Sequence, residues 1–515
     1  MADGVRVRTV SEVMSHPALT ASPDESLEAV AKRMAEHGIG SIVVVDGEAP
    51  TGILTERDLL RFVAGGGDPS QAKVSEWMTA DPVTLGPQEP VVQAFERIGQ
   101  GRFRHIPVVE SGRLVGIVSM RDLFRVASIE PMQHPGQMEA PRGLAGVIVA
   151  ETAIGDVRGE EGFYHYRQYS ATDLARERTL EDVWCLLFDG ELPDLSRREE
   201  FMAEVAPLRQ VPDEVMKVLP DVVASGGRFV PLDALRSAVS MVADALDFKP
   251  TLDITPEQIR RDALQICAVT PTLIAALWRL HKGLEPVPPR DDLGYAANYL
   301  WMLGGEVPDP EIARAIEQYQ ITTVDHGFNA STFTARVICS TGADVGAAVV
   351  GAIGALSGPL HGGAPSRALD MLDEIGDPSR AEDWVRSKVL AGERIMGFGH
   401  RVYKTEDPRS RLLREVAERL GGDRVELAKE VERVVVKVLE ELKPGRRLYT
   451  NVEYYAGVVM ERCGLPPELF TPTFASSRVI GWCAHILEQV VDNRIIRPSA
   501  KYVGPPPPAE IPPLA

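Results

Sequence analysis

Residues 358–364 read GPLHGGA and residues 396–404 read MGFGHRVYK, so His361 and His400 each have glycine as a neighbour. Glycine allows tight turns and lets a ligand come close to the backbone. We therefore expect both imidazoles to lie in turns at a site that a small molecule can reach. The segments around these two histidines are the main evidence for the function of the C-terminal two thirds of the chain.

A later segment, residues 451–455, reads NVEYY and carries Glu453. Two imidazoles and a carboxylate are the groups that a carbon–carbon condensation needs. One group removes a poorly acidic C–H proton, one stabilises the resulting enol, and one protonates the carbonyl under attack. The three segments together predict an enzyme.

Composition predicts a globular protein of two or more domains, since the chain has 515 residues, 44% of them hydrophobic and 25% charged. A net charge of −19 and the lack of a basic run argue against nucleic acid. Five scattered cysteines without a CxxC pair are expected in the core of a protein from a reducing compartment. The polar start and the short apolar stretch Val345–Leu356 predict no secretory signal and no membrane span, so we expect a cytoplasmic protein.

The N-terminal part contains an internal repeat with an offset of 64 residues, which places Met14 over Met78 and GILTERDL (52–59) over GIVSMRDL (116–123). Such a repeat predicts two copies of one supersecondary module. Each copy is predicted to run helix, strand, turn, strand, helix, because β-branched stretches alternate with short polar turns. The pair resembles a tandem of CBS domains, with repeats at residues 7–64 and 71–127.

The CBS resemblance implies a nucleotide pocket in which Thr55 and Ser119 lie near phosphates, while Asp58 and Asp122 bind ribose hydroxyls. A carboxylate can accept two hydroxyl donors, and a helix N-terminus tolerates phosphate. The same residues also form the pattern of a capping box, in which the hydroxyl and the acid only cap a helix. Ligand binding and a purely structural or dimerising pair both stay open, as does the choice of copy.

Residues 128–142 are rich in proline and glutamine and predict a linker, and the proline-rich residues 505–515 predict an extended tail. Between them, residues 143–504 are predicted to be mostly helical. The clearest amphipathic helix covers 426–442, and similar patterns cover 273–281, 313–319, 411–420 and 479–492. Strands are expected only near the start of this region.

The region from about residue 141 to residue 504 resembles citrate synthase. Seven segments occur in the family's order: GVIVAETAIGDVRGEEGFYHYR, VDHGFNASTFTARV, GPLHGGAPS, MGFGHRVYKTEDPR, TNVEYYAGVV, FASSRVIGWCAHILEQ and NRIIRPSAKYVGP. The resemblance implies a multidomain chain, with the α/β CBS pair followed by a mostly α-helical fold of a large and a small domain. It also implies a homodimer or a larger homo-oligomer.

The resemblance implies that Glu453 takes a methyl proton from acetyl-CoA, His361 stabilises the enol, and His400 donates to the oxaloacetate carbonyl. The family usually has Asp at the position of Glu453. An extra methylene moves the carboxylate by about 1 Å, and such a displacement costs roughly 10²-fold in rate if nothing compensates. We interpret Glu453 as a tolerated variant.

The resemblance further implies that His326, Arg409 and Arg478 bind the oxaloacetate carboxylates, with Arg497 reaching in from the partner subunit. His326 could instead only order the start of a helix, and Arg409 could be a surface charge. Contacts to CoA are implied for Gly397, Phe398, Gly399, Arg401 and Lys404. No metal or resident cofactor is expected, because arginines and imidazoles supply the positive charge.

The predicted function is that of a citrate synthase at the entry to the tricarboxylic acid cycle, regulated by an adenine nucleotide at the CBS pair. A 2-methylcitrate synthase that uses propionyl-CoA is the alternative, since one methylene discriminates only about 10- to 200-fold. A non-catalytic nucleotide sensor on the same scaffold is the second alternative. Both histidines, the carboxylate and the arginines argue against that sensor.

Overall fold

The chain divides into two compact units, Met1–Ile148 and Val149–Ala515. The structure, a computed structural model, describes residues 9–100, 103–120, 122–123, 140–144, 146–225, 227–361, 365–399, 403, 405–446, 448–505 and 507–508. Most of the predicted linker and of the proline-rich tail therefore lies outside the described residues.

The first unit contains two copies of one α/β module. Strands β2 and β3 pair antiparallel, β5 and β6 repeat that pairing, and both pairs have a register shift at the same place, after Val44 and after Val108. This confirms the predicted repeat. The elements are β1 (Thr20–Ala21), α1 (Leu27–His37), β2 (Ser41–Asp46), β3 (Ala49–Thr55), α2 (Glu56–Ala64), β4 (Thr79–Ala80), α3 (Val91–Gln100), β5 (His105–Glu110) and β6 (Arg113–Ser119).

The core of each copy includes a residue from the segment that opens the other copy. Val10 is buried in the core of the second copy, and Val74 is buried in the core of the first. A Cβ on Gly52 would lie 2.2 Å from the sulfur of Met78, and one on Gly116 would lie 2.6 Å from that of Met14. In both copies, a methionine from the other copy thus packs directly against a strand glycine, where a larger residue would force the methionine to move.

The second unit is mostly helical, as predicted, and opens with a small antiparallel sheet of three strands. Its strands are β7 (Gly155–Arg158), β8 (Phe163–Tyr166) and β9 (Tyr169–Ser170). Its helices are α4 (Ala171–Glu177), α5 (Leu180–Asp189), α6 (Leu195–Val205), α7 (Asp213–Ala224), α8 (Pro231–Ala245), α9 (Pro256–His281), α10 (Tyr295–Gly304), α11 (Pro310–Thr323), α12 (Ala330–Ser340), α13 (Val345–Leu356), α14 (Pro365–Ile375), α15 (Ala381–Leu390), α16 (Pro408–Leu420), α17 (Asp423–Leu442), α18 (Val452–Arg462) and α19 (Phe470–Val491).

Helix α9 lies at the centre of this unit and packs against α7, α8, α10 and α19. The sequence pattern placed this helix only from Leu273, which was wrong by more than four turns, since the helix begins at Pro256. Pro271 cannot bond the carbonyl four residues earlier, which is that of Cys267. The Tyr295 hydroxyl lies 3.1 Å from that carbonyl and 2.6 Å from the carbonyl of Ser476, so it shares its one hydrogen between them. The helix continues through Pro271 with this polar group beside the freed carbonyl.

Helix α9 is also the one helix in the described part of the chain that is long and apolar enough to cross a membrane. Most of it is buried inside the unit, which is the position of a core helix.

All five cysteines lie in described residues and are free thiols; four of them are buried. Burial raises the pKa of Cys339 to about 11 and that of Cys463 to about 12. At neutral pH these thiols are protonated, which suits their predicted place in the core.

Asp262 on α9 carries a carboxyl group whose pKa is raised to about 6, first by burial and then by the charge of Asp344. The folded state therefore holds this proton more tightly than the unfolded state, and stability falls as the pH rises from about 4 to 6. We expect Asp262→Asn to raise the free energy of unfolding by about 1 kcal/mol at pH 7.5 after solvent screening, and by less at pH 4.5. Denaturant unfolding at both pH values measures this, and an equal gain at both would contradict it.

Candidate active site

His361 follows α13 in the turn that the GPLHGGA segment predicted, and it is held by the first turn of α12. The backbone N–H of Ser331 donates to His361 Nε2 at 3.3 Å, and the Ser331 hydroxyl lies 2.8 Å from the same nitrogen. Trp482 on α19 donates to that hydroxyl at 3.1 Å. Because a backbone N–H can only donate, this contact places the ring hydrogen on Nδ1.

The imidazole of His361 is neutral at physiological pH. Its pKa is lowered to about 4, first by burial and then by the positive charge of Arg478. A neutral ring with its hydrogen on Nδ1 can donate a hydrogen bond from Nδ1 to a substrate oxygen while the ring itself carries no net charge. That is the property required of a group that stabilises a developing enolate.

His326 lies between α11 and α12 and contacts two tyrosines. Its Nε2 is 2.9 Å from the hydroxyl of Tyr403, and its ring centroid is 5.5 Å from those of Tyr403 and Tyr164. The preceding Asp325 is buried and lies 3.3 Å from His485. Although burial raises the pKa of Asp325, the charges of His485 and Arg478 hold it below its usual value.

Arg409 is not a surface charge, since only 3% of it is exposed. It stands in the first turn of α16 beside the N-cap Asp407, whose carboxylate accepts from Arg409 Nε at 3.0 Å and from Nη2 at 2.8 Å. Burial opposes the charge of Arg409, but this carboxylate raises its pKa above the usual value. The guanidinium is therefore fixed and permanently charged.

Arg478 on α19 is equally buried, with 2% exposed, and donates from Nε to the carbonyl of Thr323 at 2.7 Å. Its guanidinium carbon lies 4.6 Å from the centre of the Phe474 ring. Burial lowers its pKa, and the nearby charge of Arg409 lowers it further, while Asp325 acts in the opposite direction. Two arginines that repel each other across a buried site form a strong attraction for an anion.

Glu453 stands in the first turn of α18 and is half-buried. Its backbone N–H donates to Oδ1 of the N-cap Asn451 at 3.1 Å. The hydroxyl of Tyr319 is buried, and burial raises its pKa. The charges of Arg478, Glu453 and Arg409 also act on this pKa. The charges of these three predicted residues therefore lie close enough to act on one buried hydroxyl.

The loop before His400 has the backbone that its glycines allow, with Gly397 at φ 80° and Gly399 at φ 82°. The Phe398 ring packs on Tyr454 with centroids 5.2 Å apart. A Cβ on Gly399 would approach Leu448 to 2.9 Å, so a larger residue is excluded there. His400, Arg401 and Lys404 lie outside the described residues.

Arg497 is exposed on the segment after α19, apart from the buried arginines, and its neighbour Arg494 is exposed as well. Among the described residues, no group of three or more His, Cys, Asp or Glu side chains is placed to hold a metal ion.

In the first unit, the candidate nucleotide residues form capping contacts. Asp58 Oδ2 accepts from the backbone of Thr55 at 2.9 Å and from its hydroxyl at 2.6 Å, and Arg61 pairs with Oδ1. Asp122 accepts from Ser119 in the same two ways, at 2.9 and 2.6 Å. The capping-box interpretation is therefore confirmed in both copies, and it does not exclude a ligand.

Sequence reasoning missed the residues that hold the site together: Ser331, Tyr403, Asp407 and Asn451. Asp before Pro408 and Asn before an apolar run are N-cap signals, so Asp407 and Asn451 could have been found. No local pattern marks Ser331 as the partner of His361, because that contact joins two segments far apart in the sequence.

Two family models match the chain: "Citrate synthase, C-terminal domain" over residues 143–499, and "CBS domain" over residues 10–65 and 74–129. The citrate synthase of Deinococcus radiodurans is 39% identical over 368 residues, which cover 70% of this chain and 95% of that protein. Citrate synthase 2 of Bacillus subtilis is 40% identical over 368 residues, covering 72% and 97%.

Solved structures agree with these matches. The citrate synthase of Thermotoga maritima superposes with a TM-score of 0.63 at 36% identity and covers 71% of this chain and 96% of that one. The Thermoplasma acidophilum citrate synthase, solved as a ternary complex with carboxymethyl coenzyme A and oxaloacetate, gives a TM-score of 0.67 at 30% identity and covers 73% and 99%. The chain belongs to the citrate synthase family, as an acyltransferase that also carries a tandem pair of CBS domains.

Proposed function

We propose that this protein condenses acetyl-CoA with oxaloacetate and hydrolyses citryl-CoA to citrate and CoA, in the cytoplasm and as a homodimer. The observation that carries the proposal is the neutral His361, held by Ser331 beside the buried Arg409 and Arg478. A neutral donor near two buried arginines suits a thioester that must enolise near a dicarboxylate. No metal or resident cofactor takes part in the proposed reaction.

In the proposed reaction, the Glu453 carboxylate takes a proton from the methyl group of acetyl-CoA. The C–H electron pair moves into the enolate, whose oxygen accepts a hydrogen bond from His361. The enolate carbon then attacks the ketone of oxaloacetate, and His400 gives its proton to the new alkoxide. Water finally cleaves the thioester of citryl-CoA, which releases citrate and CoA.

Binding of oxaloacetate follows from the two buried guanidinium groups. Arg478 offers its terminal guanidinium N–H groups, which match a carboxylate, and Arg409, whose Nε and Nη2 donate to Asp407, adds a fixed positive charge; we assign the ring of His326 to the same substrate. We assign the exposed Arg497 to the site of the partner subunit, since it is free to extend away from its own chain's buried arginines.

For CoA, we assign the loop formed by Gly397, Phe398 and Gly399, together with Arg401 and Lys404. The two glycines carry no side chain that would block a flat base, and the two cations suit phosphate.

The test is the release of free thiol when the purified protein is mixed with oxaloacetate and either acetyl-CoA or propionyl-CoA. We expect kcat/KM to be at least about 10-fold higher for acetyl-CoA, the size of effect that one methylene produces in an apolar pocket. A preference for propionyl-CoA would identify a 2-methylcitrate synthase instead. Folded protein that releases no thiol from either substrate would leave only the sensor.

We also propose that an adenine nucleotide regulates the enzyme through the second CBS copy. The two copies differ in charge at matched positions next to the hydroxyl residue. In the first copy the backbone N–H of Glu56 donates to the carbonyl of Gly40 at 3.1 Å. At the same two positions of the second copy, the backbone N–H of Met120 donates to the carbonyl of Arg104 at 2.9 Å. An exposed carboxylate repels a phosphate chain, while an exposed guanidinium attracts it.

We expect Arg104→Glu to weaken ATP binding to the full chain by about 10-fold or more, as the loss of one charge-assisted contact implies, and to abolish the effect of ATP on thiol release. The first copy has Gly40 at the position of Arg104, so the control there is Glu56→Gln, at the neighbouring charge, and it should leave both unchanged. Titration calorimetry and turnover assays with ATP, ADP and AMP measure this. If Glu56→Gln alters the affinity and Arg104→Glu does not, the first copy is the site.

A further inference from the structure

The loop before His400 and the start of α18 are joined by backbone hydrogen bonds. Asn451 N–H donates to the carbonyl of Gly397 at 2.9 Å, and Gly399 N–H donates to the carbonyl of Tyr449 at 2.7 Å. Phe398 and Thr450 form an antiparallel bridge between these bonds. The two segments thus run side by side for three residues.

The side chain of Asn451 bonds to both segments at once. Its Oδ1 accepts the backbone N–H of Glu453 at 3.1 Å, which caps α18. Its Nδ2 donates to the carbonyl of Gly399, the residue before His400, at 3.1 Å. One amide group therefore connects the peptide that leads into His400 with the turn that presents Glu453.

We propose that Asn451 is a positioning residue: it holds the carbonyl of Gly399, which precedes His400 in the sequence, against the turn that carries Glu453, and so keeps the two groups of the proposed reaction in register. The inference rests on the proposed function. Only an amide can perform both tasks, because the cap needs an acceptor and the Gly399 carbonyl needs a donor. Serine or aspartate can cap a helix equally well, but neither presents that donor at the same place.

The turn at the start of α18 does not depend on Asn451 alone. The bond from Asn451 to Gly399 can therefore be removed without losing the helix. The next backbone N–H, of Val452, donates to Asp407 Oδ2 at 3.2 Å. The buried Thr450 donates to Glu432 at 2.8 Å and accepts from Ser410 at 3.0 Å. These bonds hold the start of α18 from the other side.

The test compares Asn451→Ser with the wild-type chain. Serine keeps the cap and loses the bond to Gly399, so we expect kcat to fall by about 10²-fold, as a displacement of about 1 Å implies. The KM values for both substrates should change by less than about 3-fold, because only the transition state needs both groups in register. Asn451→Asp should behave in the same way, since its second oxygen faces a carbonyl.

Two controls separate positioning from mere stability. Asp194→Ala removes an exposed N-cap, that of α6 on Arg197 N–H; it should lower the Tm by a few degrees, as loss of a cap does, and leave kcat unchanged. The second control is exchange of the acetyl-CoA methyl hydrogens with D2O while malate, which lacks the ketone, fills the oxaloacetate site. This exchange needs Glu453 but no proton from His400, so Asn451→Ser should keep it within about 3-fold of wild type.

Unchanged kcat in Asn451→Ser would overturn the proposal, and so would a loss of turnover that follows only the loss of folded protein. Equal losses of exchange and of condensation would show that Asn451 merely holds Glu453. A wild-type chain that releases no thiol would remove the proposed function and this inference with it, and that result is seen before any variant is compared.

Discussion

Glu453→Gln is expected to lower kcat by about 10³- to 10⁴-fold, near the upper end of what a general base contributes. Glutamine has almost the same shape as glutamate but cannot accept the methyl proton. The backbone bond from Glu453 to Asn451 does not involve the carboxylate, so the helix cap stays intact. KM for oxaloacetate should change little, because that substrate is assigned to Arg409 and Arg478. Steady-state thiol release measures both constants.

Glu453→Asp tests how far this chain is adapted to the longer acid. The start of α18 is held by Asn451 and by Asp407, so it cannot move forward to compensate for a lost methylene. We expect kcat to fall by about 10²-fold, as a displacement of about 1 Å implies. An aspartate variant as active as wild type would show that the turn adjusts freely.

Glu461→Gln is the matched control, because it neutralises another glutamate of α18. That residue is exposed and pairs with Arg424 at 2.8 Å, at the far end of the helix. We expect kcat to stay within about 2-fold of wild type, as for most surface changes. Full activity in Glu453→Gln, with this control also active, would mean that another group is the base.

The elements that the sequence predicted best are those whose burial pattern is local. Strand β2 was predicted at its observed bounds because β-branched residues alternate with polar turns, and α13 because an unbroken apolar stretch ends in polar residues. Helix α17 was predicted three residues short, since Asp423 and Arg424 belong to its polar first turn. In each case the neighbouring residues carry the information.

The elements that were missed depend on partners far away in the sequence. Helix α9 continues through Pro271, where the hydroxyl of Tyr295 lies beside the carbonyl that proline leaves without its helical partner. The ring of His361 is oriented by Ser331 and Trp482, which belong to two other helices. Motifs could therefore name the reacting groups, but not the side chains that orient them.

Arg409→Gln is expected to raise KM for oxaloacetate by about 10²-fold or more, because it removes a fixed positive charge that is assigned to a substrate carboxylate. It should also destabilise the protein by about 3 kcal/mol, since it leaves the buried charge of Asp407 without its partner. Asp407 is only 1% exposed, so water cannot replace the guanidinium. Thermal unfolding and substrate titration measure the two effects separately.

The two effects of Arg409→Gln can be separated by a second change at Asp407. Asn at this position buries no charge and can still accept the backbone N–H of Arg409, which lies 3.0 Å from Oδ1, but its Nδ2 then faces the backbone N–H of Val452, which lies 3.2 Å from Oδ2. We therefore expect Asp407→Asn combined with Arg409→Gln to recover part of the lost Tm without recovering the affinity for oxaloacetate. Arg411→Gln, an exposed change on the same helix, should alter neither. If the double variant regained both stability and oxaloacetate affinity, Arg409 would serve the fold alone, and the dicarboxylate would depend on Arg478 and His326.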